Sequence, residues 1–145
     1  MAILDINLTV SPVSAEQALA LATEAEEAFS GNGDIARIVE SYAEDIVINF
    51  GGYAEARGRA AATALLRARY QHITDYQLTK SVRAISGDSV CIQWSGQWMD
   101  PTTGRHRAGR GMECMRLRDG MVTAWDAAFN HWDVDDGPAV PPPHL

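Results

Sequence analysis

The chain has little cysteine, little positive charge and no long apolar run. Its two cysteines, Cys91 and Cys114, stand in no Cys-x-x-Cys or Cys/His ligand spacing, which removes the common zinc and dithiol signatures. On the strand pattern developed below they fall on opposite sheet faces, so no bridge between them is expected and both read as small buried hydrophobes. Lysine and arginine together number 12 against 19 acids, a net charge of −7, which argues against binding a phosphate backbone, and no nucleic-acid partner is expected. The acids concentrate at Glu16, Glu24, Glu26 and Glu27 and at Asp133, Asp135 and Asp136, two runs that read as solvated surface. No apolar stretch approaches the roughly 20 residues of a spanning helix, and no basic run precedes an apolar core at the start. The expectation is a cytoplasmic chain without membrane contact. Gly31 and Gly33 end a helix instead of following a strand, so they fail the dinucleotide pattern. No phosphate loop and no metal-ligand spacing is seen, so neither cofactor nor metal is expected.

What is present is an ordinary globular composition, 46% apolar and 21% charged, over a length that suits one domain. Such a domain buries roughly two-thirds of the surface its unfolded chain exposes, enough to enclose a hollow. Residues 1–13 form a lead-in that can pair as a strand. Ser14 with Gln17 fits a capping box, and Ala18, Leu21, Ala22, Ala25 and Phe29 then recur on one helical face. Gly31 to Gly33 stops that helix, and Asp34 can cap a short second one with Ile35, Ile38, Val39 and Tyr42 as its stripe. Residues 46–50 are β-branched and read as a strand, and 51–57 as a loop. A third helix runs from about Arg59 to Tyr70, turning Ala62, Leu65, Leu66, Arg69 and Tyr70 toward the core. Residues 76–85, 90–99, 105–118 and 121–132 then make four antiparallel strands in a meander. The domain covers 14–132, with an acidic, proline-rich tail over 133–145. Helices early and strands late indicate an α+β fold, three helices on one face of a curved, mostly antiparallel sheet.

The last hairpin sets the expected register. Asp119-Gly120 between alternating runs is a strong type I′ turn signal, because that turn needs positive φ at both central positions. Counting back from it, Arg118 faces Met121, Cys114 faces Trp125, Met112 faces Ala127, Arg110 faces Phe129 and Ala108 faces His131, all on one face. The other face pairs Leu117 with Val122, Met115 with Ala124, Glu113 with Asp126, Gly111 with Ala128 and Gly109 with Asn130. If Trp98 lies near His106, then Val90, Ile92, Trp94 and Trp98 join the first face. That aromatic surface is expected to pack under the helices, and a single β-bulge would swap the faces beyond it.

Four segments carry a family resemblance: FSGNGD at 29–34, YAED at 42–45, Gly58-Arg59 opening the third helix, and GMVTAWD at 120–126. With these the chain resembles the nuclear transport factor 2-like superfamily, which includes SnoaL-like polyketide cyclases, ketosteroid isomerase, scytalone dehydratase and limonene epoxide hydrolase. The likeness spans residues 14–132. Gly58-Arg59, the segment DYQLTK at 75–80, Trp98, Gly111, Glu113 and Asn130 carry a closer resemblance to a bacterial branch of that superfamily. The resemblance implies a cone-shaped fold, a pocket between helices and inner sheet face, and a homodimer through the outer face. On the epoxide-hydrolase pattern Asn49 matches, whereas the Arg and two Asp of that network fall on Trp94, Gly96 and Ala127. The isomerase base falls near Phe50. The SnoaL-like Trp-Asp pair is kept as Trp125-Asp126.

Several residues then stand as site candidates. His131, on the expected inner face, can exchange protons because an imidazole titrates near neutrality; otherwise it is a bonded rim histidine. Arg110 could hold an enolate or carboxylate oxygen, or merely stack on Trp94 or Phe129. Glu113 and Asp126 form an opposed pair that either marks a dimer surface or, with the faces inverted, becomes the acid/base pair joined by Asn130. Asn49, Tyr53, Tyr70 and His72 gather near the expected mouth. Trp94, Trp98, Trp125, Phe129, Tyr70 and Met112 would line the pocket and hold substrate. The expected function is a cofactor-independent enzyme of lyase, isomerase or cyclase type, acting on a small apolar carbonyl compound. Its alternatives are a non-catalytic hydrophobic-ligand or dimerisation module, and a filled core with no pocket.

Overall fold

The computed structural model describes residues 12–140. The strand expected in the lead-in and the last five residues of the tail lie outside them. The elements are α1 (Ala15–Phe29), α2 (Ile35–Val39), β1 (Tyr42–Phe50), β2 (Ala56–Arg57), α3 (Arg59–Tyr70), β3 (Thr74–Ser86), β4 (Ser89–Met99), β5 (His106–Arg118) and β6 (Met121–Asp133). One six-stranded sheet runs β2-β1-β6-β5-β4-β3, with β1 parallel to β6 and every other pair antiparallel. The fold is α+β, as the order of helical and alternating patterns indicates. No described helix is long and apolar enough to cross a membrane.

Local chemistry sets the boundaries. The Ser14 hydroxyl accepts from the Gln17 N–H at 3.0 Å while the Gln17 side chain accepts from the Ser14 N–H at 2.9 Å, closing the capping box of α1. Asp34 caps α2 through the Arg37 N–H at 3.0 Å. At the start of α3, Gly58 adopts φ +86° and gives its N–H to the Ile46 carbonyl at 2.7 Å, while Arg59 clasps the Tyr42 carbonyl and Glu44. These bonds tie α3 to β1, and Ala56–Arg57, expected within a loop, adds a two-residue strand at that edge. The opposite edge, β3, is covered by paired bonds between Gly31 and Tyr76, each 2.8 Å, and by the Glu26 carboxylate on the Lys80 N–H at 2.8 Å. Covered edges resist pairing with other chains.

The hairpin turn forms as expected, with φ +53° at Asp119 and +77° at Gly120, and Arg118 and Leu117 face Met121 and Val122. One residue later the register changes. Arg116 pairs with Ala124, so Thr123 is an extra residue in β6, and every pair beyond it is displaced by one. Met115 therefore faces Trp125, Cys114 faces Asp126, Glu113 faces Ala127 and Arg110 faces Asn130. On the other side Trp98 pairs with Arg107, not His106. The expected inner residues of β4 and β6 are correct, but β5 is inverted. Leu117, Met115, Glu113, Gly111 and Gly109 look inward, while Met112 (43% exposed), Cys114 and Arg110 look outward.

The inversion also corrects the cysteines. Cys91 and Cys114 are direct partners on the outer face, not residues of opposite faces. Bonds from the Leu117 N–H to the Asp88 carbonyl and from the Asp100 N–H to the Arg105 carbonyl, both 2.9 Å, mark hydrogen-bonded pairs at the two ends of the β4–β5 ladder. Alternation between them makes Cys91 and Cys114 a non-hydrogen-bonded pair, where facing side chains come closest. Both thiols are free, and burial, followed by the neighbouring Cys91, pushes the Cys114 thiol up.

Inward glycines let indoles and phenols lie flat on the sheet. A Cβ at Gly96 would come 2.5 Å from the Tyr76 ring, at Gly109 3.1 Å from Trp98, and at Gly111 2.7 Å from the Phe129 Cβ and 2.5 Å from the Ala128 carbonyl. Below them Ile46, Ile48, Leu66, Val90, Ile92 and Val122 are almost wholly enclosed. Because the Ala128 carbonyl is backbone and cannot move aside, Gly111→Ala is expected to cost about 1–3 kcal/mol by overpacking. Urea unfolding should show a lower midpoint with an unchanged slope.

Candidate functional site

The inversion of β5 carries a carboxylate into the middle of an aromatic chamber. Glu113, 3% exposed, is the one charged residue buried backbone and side chain together among the described residues. Its Oε1 pairs with Nζ of Lys80 from β3, and its Oε2 accepts from the Trp125 indole N–H of β6 at 3.0 Å. The two charged side chains are 1% and 3% exposed. Lys80 Nζ also lies 5.8 Å from the Phe29 ring and 5.9 Å from the Trp125 ring. Three strands and α1 thus converge on one ion pair. It faces a hollow of ≈ 30 Å³ bordered by Tyr70, Tyr76, Trp94 and Phe129, room for about one water. Burial pushes the phenols of Tyr70 and Tyr76 up, so both are protonated donors. The Tyr42 hydroxyl is buried with no partner among the described residues; burial, then the Glu113 charge, holds it protonated.

Above this floor lies an open vestibule of ≈ 430 Å³, within the range of about 300–1,000 Å³ usual for small-molecule sites. Phe50, Arg69 and Phe129 border both hollows, and the boundary they share is the throat. Its walls are Trp98, Leu65, Ile73 and Tyr53, and its polar groups are mostly basic. Arg107 donates to Nδ1 of His131, and its other terminal nitrogen lies 3.1 Å from Asp133, which Arg105 also meets at 2.8 Å. With Nδ1 accepting, neutral His131 carries its proton on Nε2 and is a hydrogen-bond donor. Burial, followed by the charges of Arg107 and Arg69, holds its pKa below the ordinary value. His72 binds the Thr102 hydroxyl at 2.9 Å. Asp100, the acid of this lining, accepts the Thr102 N–H at 2.8 Å, and that bond lowers its pKa.

A third hollow, ≈ 300 Å³, lies between α1, α2 and the β5–β6 hairpin. Its lining is mainly aliphatic, its rim charges Arg37 and Glu24 are bonded to each other at 2.5 Å, and Tyr42, whose hydroxyl is protonated and without a partner among the described residues, also borders it. Among the described residues no group of three or more His, Cys, Asp and Glu could hold a metal ion.

Of the residues singled out in the sequence, the structure gathers Trp94, Trp125, Phe129, Tyr70 and Glu113 around the floor, and Trp98, Phe129, His131, Tyr53 and His72 around the vestibule. Four lie on the outer face, three of them against expectation. Asn49 lies beside Asp126 in the β1–β6 pairing, since Ile48 and Phe50 take the inward positions. Asp126 faces outward as expected but opposite Cys114, so the opposed pair with Glu113 does not exist. Arg110 rests 6.0 Å from the Trp132 ring, and Met112 is exposed. Sequence reasoning missed Lys80, Arg107 and the placement of Arg69 in the throat. A signal for the first was present: Lys80 is the chain's only lysine and continues the inward alternation of Tyr76 and Leu78.

The sequence profile of the SnoaL-like domain matches residues 22–125, and the chain belongs to that family. No curated protein matches it. Its fold resembles that of a candidate SnoaL-like polyketide cyclase from Jannaschia sp. CCS1, with TM-score 0.71 and 14% identity over 81% of this chain and 90% of that one. It also resembles a nuclear transport factor 2-like protein of unknown function from Burkholderia pseudomallei K96243, with TM-score 0.68 and 16% identity over 79% and 91%. An M. tuberculosis epoxide hydrolase of the LEH-like kind aligns with TM-score 0.60 and 19% identity over 79% and 84%. At these identities the likeness is one of fold.

The lowered pKa of His131 has a consequence for stability. The unfolded chain takes up a proton near pH 6.5, which the folded imidazole resists. The contribution of this histidine is therefore complete above about 6.5 and is lost as pH falls from there toward the folded pKa. Melting temperature followed from about pH 7.5 to about pH 5 should fall less steeply in His131→Asn than in the natural chain.

Proposed function

We propose that this chain is a small-molecule enzyme that moves a proton on an apolar, carbonyl-bearing substrate without a cofactor, in the manner of a lyase, isomerase or cyclase. The observation that carries the reading is the Lys80–Glu113 pair at the floor of an aromatic chamber that adjoins a vestibule. A buried ion pair is a poor stabilising device, because apolar residues of similar volume often do as well or better. Its presence facing a hollow therefore favours a chemical role.

In this reading the apolar body lies against Trp98 and Phe129, and a reacting C–H points through the throat. Glu113 takes the proton, and Lys80 and the Trp125 N–H hold the carboxylate in place while it does so. Negative charge moves to the carbonyl oxygen, where the Nε2–H of His131 and the positive charges of Arg107 and Arg69 stabilise it. Protonated Glu113 then returns the proton to the same or a neighbouring carbon, or to a leaving oxygen. Two of the expected assignments change: His131 is a donor to the oxyanion, not the proton carrier, and Arg110 gives way to Arg107 and Arg69. The exposed outer face around Met112, Arg110 and Ala128 supports a homodimer on that side. The small size of the floor hollow favours a second reading, a non-catalytic module that binds hydrophobic ligands in the vestibule alone.

A test needs no known product. Incubated in D2O with a panel of aryl and cyclic ketones, the chain should catalyse deuterium incorporation next to the carbonyl, read by mass spectrometry. Glu113→Gln alone should destabilise by about 3–5 kcal/mol because it strands a buried ammonium, whereas Lys80→Met with Glu113→Leu should be as stable as the parent or more so. That double variant should fold and exchange nothing. Ligand-induced stabilisation without exchange in the natural chain would establish the binding module instead.

A further inference from the structure

Among the arginines, Arg69 stands apart. It lies in the last turn of α3, with its guanidinium carbon 4.4 Å from the centre of the Phe129 ring and 5.6 Å from that of Phe50, in the throat. Among the described residues it makes no ion pair and no side-chain hydrogen bond. Arg67 and Arg110 share that lack but are exposed to solvent. The other basic groups of the vestibule are already engaged: Arg107 through its two terminal nitrogens by Asp133 and His131, which leaves only its buried Nε without a partner, and His72 by Thr102. The acid there, Asp100, is held by its own loop. The charge of Arg69 reaches the floor and the mouth alike, since it opposes the burial-driven rise at Tyr70 and Tyr76 and adds to the depression at His131.

A guanidinium presents five N–H donors in a planar fork, and stacking on aromatic faces satisfies none of them. An apolar wall with one unpaired fork matches one planar anion, because a carboxylate accepts two parallel N–H bonds from it. We infer that the substrate is a hydrophobic carboxylic acid whose carboxylate is gripped by Arg69 in the throat, while its ring or chain lies on Trp98 and Phe129. The inference rests on the vestibule being the substrate pocket, as proposed above, and adds the chemical class of what enters. It also gives Arg69 a positioning function: a bound carboxylate fixes which carbon of the ligand faces Glu113. A keto or enol oxygen elsewhere on the same molecule would meet the Nε2–H of His131. The class is thus an aryl or polycyclic acid carrying a second oxygen function.

Two probes of the same shape separate the possibilities, 2-naphthoate and its neutral isostere 2-naphthamide, titrated against the natural chain, Arg69→Met and Arg69→Lys by calorimetry and by tryptophan fluorescence. Naphthoate should bind the natural chain at least about tenfold tighter than naphthamide, the difference expected of a charge-assisted pair. Added salt should narrow that gap. In Arg69→Met, whose side chain still covers Phe129, the preference should vanish while naphthamide binding is kept; in Arg69→Lys part of it should return. Equal binding of both probes by the natural chain would overturn the carboxylate assignment and leave the pocket standing. A preference that survives in Arg69→Met would overturn the role of Arg69. Binding of neither probe would remove both this inference and the pocket on which it rests.

Discussion

A carboxylate held away from bulk water must be neutralised by something equally enclosed. In this chain that constraint brings together β3, β5 and β6. Lys80 reaches Glu113 from the edge strand β3, and β3 is held in place by Glu26 of α1 and by Gly31 bridging Tyr76. The Trp125 indole takes the second oxygen, which also fixes the ring that Phe29, Tyr42 and Phe50 pack against. The curvature of the sheet, the seat of the first helix and the aromatic order of the interior therefore share one anchoring point.

The rest of the chamber follows from space. Three inward glycines remove side chains where Trp94, Trp98 and Tyr76 lie against the sheet. Flattened rings make a wall instead of a plug, and this leaves a vestibule above a nearly filled floor. The hollow is apolar wherever strands supply it and basic where α3 and the ends of β5 and β6 reach the rim. Polarity is thus segregated by depth, with a neutral pair at the bottom and positive charge at the opening.

Much of this architecture was legible in the sequence. Caps at Ser14 and Asp34, the break at 31–33, the third helix and the Asp119-Gly120 turn are local chemistry, and local chemistry is written in neighbouring residues. The inward faces of β4 and β6 were legible too, because Val90, Ile92, Trp94, Phe129 and His131 alternate cleanly. What failed was the phase of β5. Its even positions carry Met112 and Cys114 and its odd positions Met115 and Leu117, so hydrophobicity barely distinguishes the faces, and the phase was inherited from the turn. Thr123 shifts that inheritance by one residue, and nothing in the side chain of a threonine announces a bulge. The site goes with it: the register of the turn points Glu113 outward and Arg110 inward, and the bulge reverses both. Lys80 is hard to read because a lysine in an edge strand is ordinarily a solvated charge, and its partner, 33 residues on, makes it otherwise.

The enclosure of Lys80 has one more consequence. The chain owns a single ε-amine, and the fold removes it from the surface. An acylating reagent in the surrounding water can reach that nitrogen only when the cone breathes open far enough to part it from Glu113. The speed at which this one side chain is acylated therefore clocks the opening of the chamber itself, uncontaminated by any faster-reacting lysine on the outside.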